Sequence, residues 1–323
     1  MICTAGTMAF GEVAGLWDGL LGAREWSSVF LTSAWQQLWW EQYGGGDSDL
    51  SLLIIGPEDA PMGIAPLTRQ GDTLTFVGGT DIFDYHDFID CTPGFFEGLA
   101  YCLDEHPWRS MRLESVPGFS PTIPRLTEAF TRKGWSVDVE EEDVVPGVEL
   151  PATWDEYVGG LRKKDRHELR RKLRRLESAG EYRVVRSTPE SLTADVELFL
   201  DMMGESRDEK REFLQPDRQR FFRSMVERME AAGYLRLFFL ELAGGERVAS
   251  VVVFDHDGRR LLYNSGYRLA HRELSTGLML KALCIKDAIE SGLTYFDFLR
   301  GPEPYKYHLG AVDRTLHRIT VLR

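Results

Sequence analysis

One order of elements is written twice along this chain: a helix, three meandering strands, a loop, a helix, a strand, a helix and a last strand. That repetition limits the folds open to it. In the second half the meander is spelled by 234–242, 247–254 and 259–265, with Gly244-Gly245 and Asp257-Gly258 at its turns. In the first half, an aromatic helix from Ser33 stops at Gly44-Gly45-Gly46, and strands follow at 50–55, 62–68 and 73–77. A loop at 81–88, a helix from about 92 to 106, a strand at 109–116, a helix at 121–133 and a strand at 135–140 complete that half. Residues 1–30 spell no clear element. There is no residue-level repeat, although Gly94 to Glu114 and Gly277 to Asp297 are both 20 positions apart. A duplicated unit is the simplest account. The expected class is α/β (α+β), two tandem domains, each a mixed, mostly antiparallel sheet flanked by helices.

The acidic run 140–143 and Pro146-Gly147 mark the expected boundary, giving domains 1–147 and 148–323. At 323 residues, two domains are also the prior from length. In the second half, Thr153 with Glu156 spells a capping box, and Gly159-Gly160 interrupts its helix. A helix at 161–179 ends at Gly180, and a strand follows at 182–186. Helices come next at 192–203 and 217–232, the latter with Phe221, Phe222, Met225, Val226 and Met229 on one face. After the meander, a helix runs from Ser275-Thr276-Gly277 to 291, and a final strand covers 312–321.

A formal charge of −13 argues against general nucleic-acid binding, DNA included. Cys3, Cys91, Cys102 and Cys284 have no paired or metal-type spacing and read as buried or idle thiols of a reducing compartment. No basic n-region opens the chain and no uncharged apolar run approaches about 18 residues. Neither signal peptide nor transmembrane segment is expected, and a cytoplasmic location follows by default.

The densest chemistry lies at 295–308. Alternating aromatics spell a buried strand that breaks at Gly301-Pro302, with Pro304 placed to start a short helix. Asp297, Arg300, Glu303, Tyr305, Lys306 and His308 crowd this exit. A carboxylate between two aromatics is costly unless it has a partner or a task, which singles out Asp297. An ordinary strand exit, with Arg300 and Glu303 as a surface ion pair, is the competing reading. Ser275, Thr276, Gly277 and Leu278 open an apolar helix whose free N–H groups suit a phosphate. From spacing alone, plain capping by Ser275 explains them as well or better. No P-loop and no Gly-x-Gly-x-x-Gly motif is present. Asp84-Tyr85-His86-Asp87 has no further ligands spaced to complete a metal site, so no metal is expected. The helix at 161–177 holds nine Lys/Arg, Arg170 and Arg171 among them, against three acids. It is either a solvated face or a contact for phosphates, an anionic envelope precursor, a membrane surface or an RNA.

The stretch at 274–311, with its Phe-Asp-Phe-Leu-Arg-Gly exit followed by Tyr-Lys, resembles the end of GNAT-fold N-acetyltransferases of the BioF2-like or CelD-like group. These are relatives of the FemAB-type transferases. Segments 33–46, 63–67, 84–89, 157–180 and 207–213 agree in order, so the resemblance spans about 33–311. It departs at Thr276, where many members have Pro. The resemblance implies an acyl-CoA donor with its pyrophosphate at Ser275-Thr276-Gly277. It implies transfer to an amine-bearing small molecule or sugar precursor of an envelope, polysaccharide or related pathway. Under it, Asp297 orients or deprotonates the acceptor, Tyr305 is the acid for the leaving thiolate, and Lys306 stabilises negative charge. Arg300 holds the strand exit or a substrate carboxylate, while Asp84, Tyr85 and Asp87 bind the acceptor. A FemAB-like aminoacyl-tRNA-dependent transferase is the first rival, although one basic helix on a −13 chain is thin support for tRNA. A non-catalytic binding protein is the second.

Overall fold

The computed structural model describes residues 3–5, 10–90 and 92–323, the first three by backbone only. The chain divides into two compact units, residues 1–144 with 314–323, and residues 145–313.

The first unit contains β1 (Cys3–Ala5), α1 (Phe10–Gly22), α2 (Ser33–Tyr43), β2 (Ser48–Ile55), β3 (Gly63–Gln70), β4 (Thr73–Phe76) and β5 (Ile89–Asp90). It continues with α3 (Phe95–Asp104), β6 (Ser110–Pro117), α4 (Thr122–Arg132) and β7 (Ser136–Glu149), the last of which runs on into the second unit. Strands β1 to β4 form an antiparallel meander, and β4 then pairs with β6 in parallel. A parallel pair needs a crossover, and α3 provides it. This helix buries Phe95, Phe96, Leu99, Cys102 and Leu103, each worth roughly 1.5–3 kcal/mol for the larger side chains. The opening residues, which spell nothing clear to the eye, hold α1. Its buried Phe10, Val13, Trp17 and Leu21 recur at helical spacing. The acids at 140–143 lie inside β7, largely exposed, so they solvate a strand and do not break it.

The second unit contains α5 (Trp154–Gly160), α6 (Lys163–Ser178), β8 (Tyr182–Arg186), α7 (Leu192–Ser206), α8 (Asp208–Phe213) and α9 (Pro216–Ala231). The meander follows as β9 (Leu235–Leu242), β10 (Arg247–His256) and β11 (Arg259–Tyr267), then α10 (Thr276–Glu290), β12 (Tyr295–Asp297) and α11 (Pro304–His308). Strands β8 to β11 pair antiparallel, and β11 pairs with β12 in parallel. Both units therefore place the last meander strand parallel to the strand that follows the crossover helix. Thr153 and Glu156 form the full capping box of α5. Central β10 is buried along almost its whole length because α10 and α7 both pack on it. At Gly266, a Cβ would run into the backbone of Met202 and Met203, so only glycine lets α7 lie this close to β11. Arg260 is buried and ties β11 to β10 through Asp255 (2.7 Å) and to α10 through Asp287 (2.6 Å) and the Cys284 carbonyl (3.1 Å).

The chain closes with β13 (Val312–Leu322), which from Arg314 belongs to the first unit. There it lies between β6 and β7, antiparallel to β6 from Leu316↔Pro117 to Leu322↔Ser110. A contiguous cut after residue 147 cannot express this return. Cys102 is disulfide-bonded, unlike the idle thiol expected, whereas Cys284 is a buried free thiol. The Cys3 side chain and all of Cys91 lie outside the described residues. Among the described residues no helix is long and apolar enough to cross a membrane.

Candidate active site

A short 3-10 segment, Leu269–Leu274, leads to Ser275, whose backbone is left-handed (φ 53, ψ 39), and α10 starts there. The N–H groups of Leu278 and Met279 both donate to the Ser275 carbonyl at 3.0 Å. Those of Thr276 and Gly277 stand before the first intrahelical bonds and meet no acceptor among the described residues, although both residues are buried. Ser275 does not cap the helix with its side chain. Its hydroxyl instead accepts from Lys172 Nζ of α6 at 2.8 Å, while Arg175 donates to the Glu273 carbonyl at 3.0 Å. Two cations of α6 thus join the positive end of the α10 dipole. Gly277 faces the Tyr267 ring, which a Cβ there would approach to 2.8 Å. Thr276 is buried and its hydroxyl has no partner among the described residues. Leu278 packs against the core.

At the far end of α10 the chain returns through β12. Asp297 is buried, and its Oδ1 accepts from Leu299 N at 2.8 Å. Leu299 itself has φ 59, a conformation costly for a branched-chain residue and maintained only by its surroundings. The second restraint is Lys306, buried on α11. Its Nζ donates to the carbonyls of Leu299 (2.8 Å), Arg300 (2.7 Å) and Gly301 (2.8 Å) and pairs with Glu303 Oε2 at 2.8 Å. An ammonium has three protons, so this loop uses all of them. Asp297 and Lys306 are therefore brought together as two clamps on one strained turn. Arg300 sits half-buried in that turn. Glu303 pairs with Lys306, and His308 is engaged by Asp165 at 2.8 Å.

Tyr305 projects from the same short helix. Burial, and then the Glu303 carboxylate, raise its phenol well above the ordinary tyrosine value, so it keeps its proton at neutral pH. Lys281 Nζ lies 5.0 Å from the centre of its ring. Lys281 is buried one turn along α10 from Gly277, whose carbonyl it meets at 3.3 Å. Burial, followed by the charges of Arg207 and Lys306, lowers it to about 8. Lys210 on α8 donates to Asn264 Oδ1 at 2.8 Å and to the Ser265 carbonyl. Burial, then Lys281 and Arg207, lower it to about 7. Sequence reasoning assigned none of Arg207, Lys210 and Lys281. The signal for Lys281 was a lone lysine inside Leu280-Lys281-Ala282-Leu283.

An anion-ready helix start lies four residues from a lysine that touches a proton-holding tyrosine. Residues 163–307 match the acetyltransferase (GNAT) domain family. Among curated proteins no sequence matches the chain. Among solved structures, FemX is 13% identical with a TM-score of 0.65, over 99% of this chain and 97% of that one. The C-terminal domain of a protein described as a lysylphosphatidylglycerol synthetase, from Agrobacterium fabrum, is 10% identical with a TM-score of 0.59, over 97% and 92%. A tandem GNAT protein of the clavulanic acid biosynthesis pathway is 13% identical with a TM-score of 0.50, over 98% and 97%. At such identities the likeness is one of fold.

The matched segment opens on α6. Leu169 and Leu176 dock this helix and leave Arg170 exposed with no ion pair among the described residues. Arg171 forks onto Glu168 at 2.7 and 2.8 Å, and these hydrogen bonds pull Glu168 down to about 2. Lys163, His167, Arg170 and Arg174 form an exposed stripe at helical spacing.

Asp84, Tyr85 and Asp87 lie in the other unit. Asp84 is half-buried, and Tyr85 is buried against Trp26 and Phe30. Asp87 is buried and accepts from Arg24 (2.8 Å), Ser120 (2.7 Å) and Thr122 (2.5 Å). The neighbouring Asp90 has its pKa raised by burial, against the pull of Arg24. This network anchors the loop to α4 and to residue 24. Asp87→Asn is expected to lower unfolding free energy by roughly 2 kcal/mol, the scale of a hydrogen bond to a charged group. A urea midpoint equal to that of the parent protein would contradict this.

Proposed function

We propose that the second unit is an acyl-CoA-dependent N-acyltransferase of the BioF2-like or CelD-like kind, acting on an amine of an envelope, polysaccharide or related precursor. One observation carries the reading: the N–H groups of Thr276 and Gly277, without an acceptor among the described residues and with Lys172 bonded to the adjoining Ser275, start the helix whose Lys281 contacts Tyr305. A pyrophosphate needs free N–H donors and positive charge, and these residues fit that demand. Ser275 takes part through its left-handed backbone and Leu278 through packing. An acyl-CoA bound there would supply the acyl carbon and a thiolate leaving group. Tyr305 holds the proton which that thiolate needs. Asp297 and Lys306 act as positioning residues that fix the 299–301 turn, and Arg300 rides on it. The surplus of cations around Tyr305 disfavours an ammonium, so the acceptor amine enters in its nucleophilic form. Arg170 remains an acceptor-side candidate of this unit.

The exposed stripe Lys163, His167, Arg170 and Arg174 favours a second reading, transfer from an aminoacyl-tRNA. Thermal melting separates the two. Acetyl-CoA at about 100 times its Kd should stabilise the protein by about 2.7 kcal/mol. A shift with charged tRNA alone supports the second reading, and no shift with either removes both.

A further inference from the structure

Within the second unit, strands β8 to β11 and the last two turns of α10 enclose a cavity of about 610 Å³. Small-molecule sites span roughly 300–1,000 Å³. Val184, Phe238, Leu283 and Leu293 give the cavity its apolar lining. Four cations and three acids complete it, and the acids are already engaged. Asp255 accepts from Arg260 at 2.7 and 2.9 Å and pairs with Arg236 at 3.3 Å. Asp287 accepts from the same buried Arg260 at 2.6 Å. Glu290 lies 3.7 Å from Lys286 in an exposed pair of little strength. Arg186, on β8, is exposed and its guanidinium meets no acceptor among the described residues. Four cations against three acids leave one positive charge on the lining, and Arg186 is the side chain that carries it. No group of the donor side takes part. Leu283, the lining residue of α10 nearest its start, is two turns from Thr276, roughly 10 Å along the helix.

We propose that this cavity is a second ligand site, which binds a small amphipathic monoanion: an apolar chain ending in one carboxylate. The chain leaves water against Val184, Phe238, Leu283 and Leu293. The head meets the free fork of Arg186, whose planar geometry matches a carboxylate, with Lys286 on the α10 wall as its second cation. A single negative charge balances the lining. A cationic ligand is disfavoured, because it would compete with Arg260 for Asp255 and Asp287 and open a buried ion-pair network. The site is independent of the acyltransfer reading.

Decanoate is the probe, with decanol and decylamine as its neutral and cationic counterparts. Calorimetry at pH 7 should show decanoate binding about tenfold tighter than decanol, the scale of one charge-assisted hydrogen bond, and decylamine the weakest of the three. Hexanoate should bind more weakly than decanoate, by up to about fourfold for each methylene lost. Arg186→Gln should weaken decanoate about tenfold and leave decanol unchanged. Lys286→Gln should weaken decanoate less, about threefold, because its ammonium is shared with Glu290. Both side chains reach solvent, so both variants should melt with the parent protein. Decanoate should bind equally well when acetyl-CoA saturates the protein. If acetyl-CoA fails to bind while decanoate binds as stated, the donor reading falls and this site remains. Decylamine binding as tightly as decanoate, unchanged decanoate affinity in Arg186→Gln, or displacement of decanoate by acetyl-CoA would each overturn the proposal.

Discussion

Tyr305→Phe is expected to lower kcat by about 10²- to 10⁴-fold, the contribution of a positioned general acid, with the melting temperature held. The hydroxyl makes no hydrogen bond among the described residues, so the fold does not depend on it. The ring, which carries the contacts with Lys281 and Phe298, is retained in phenylalanine. Burial and Glu303 hold the phenol protonated far above neutrality, so loss of its proton should produce no alkaline limb in the parent enzyme below about pH 9. The loss should be concentrated in kcat, because the ground-state contacts of donor and acceptor are unchanged. A Tyr305→Phe enzyme within threefold of the parent in kcat would remove Tyr305 from the chemistry.

Lys306→Met is expected to cost both stability and turnover. The methionine keeps the volume but leaves the carbonyls of Leu299, Arg300 and Gly301 without their shared donor. A loss of about 3 kcal/mol follows from unsatisfied buried acceptors, which is about 6–12 °C in Tm for a unit of this size. Asp297→Asn provides the contrast. It retains an oxygen for the Leu299 N–H, so Tm should hold and kcat should fall only modestly if Asp297 serves position and not proton transfer. Should Lys306→Met melt with the parent protein while kcat alone collapses, the lysine acts on substrate and the positioning role is wrong.

Much of the frame was legible from residue patterns. The meander at β9 to β11 was readable because glycine turns punctuate continuous β-branched and aromatic runs, and α9 because its apolar stripe keeps helical period. Other features depend on partners far along the chain. The acids at 140–143 read as a domain boundary and the units do divide just after them, yet they stand inside a strand whose neighbours, β13 and β12, no local pattern announces. Asp297 and Lys306 stood out as ionisable groups in a crowded exit, but composition cannot distinguish a group aimed at substrate from one bent back onto its own loop. Arg207, Lys210 and Lys281 escaped notice because what marks them is the company of other cations, a property of space and not of spacing. Cys102 shows the same limit for covalent pairing.

The return of residues 314–323 to the first unit has a bearing on how the molecule is made. Synthesis proceeds from the N-terminus, and domains generally fold as they emerge. Here the first unit lacks an interior strand until residues 314–323 have left the ribosome, after the whole of the second unit. The second unit, translated later, is contiguous and can close first. Until then β6 presents an unpaired edge, the kind of surface that recruits foreign strands. The vulnerable interval in the life of this protein is therefore set by the time needed to translate its second half.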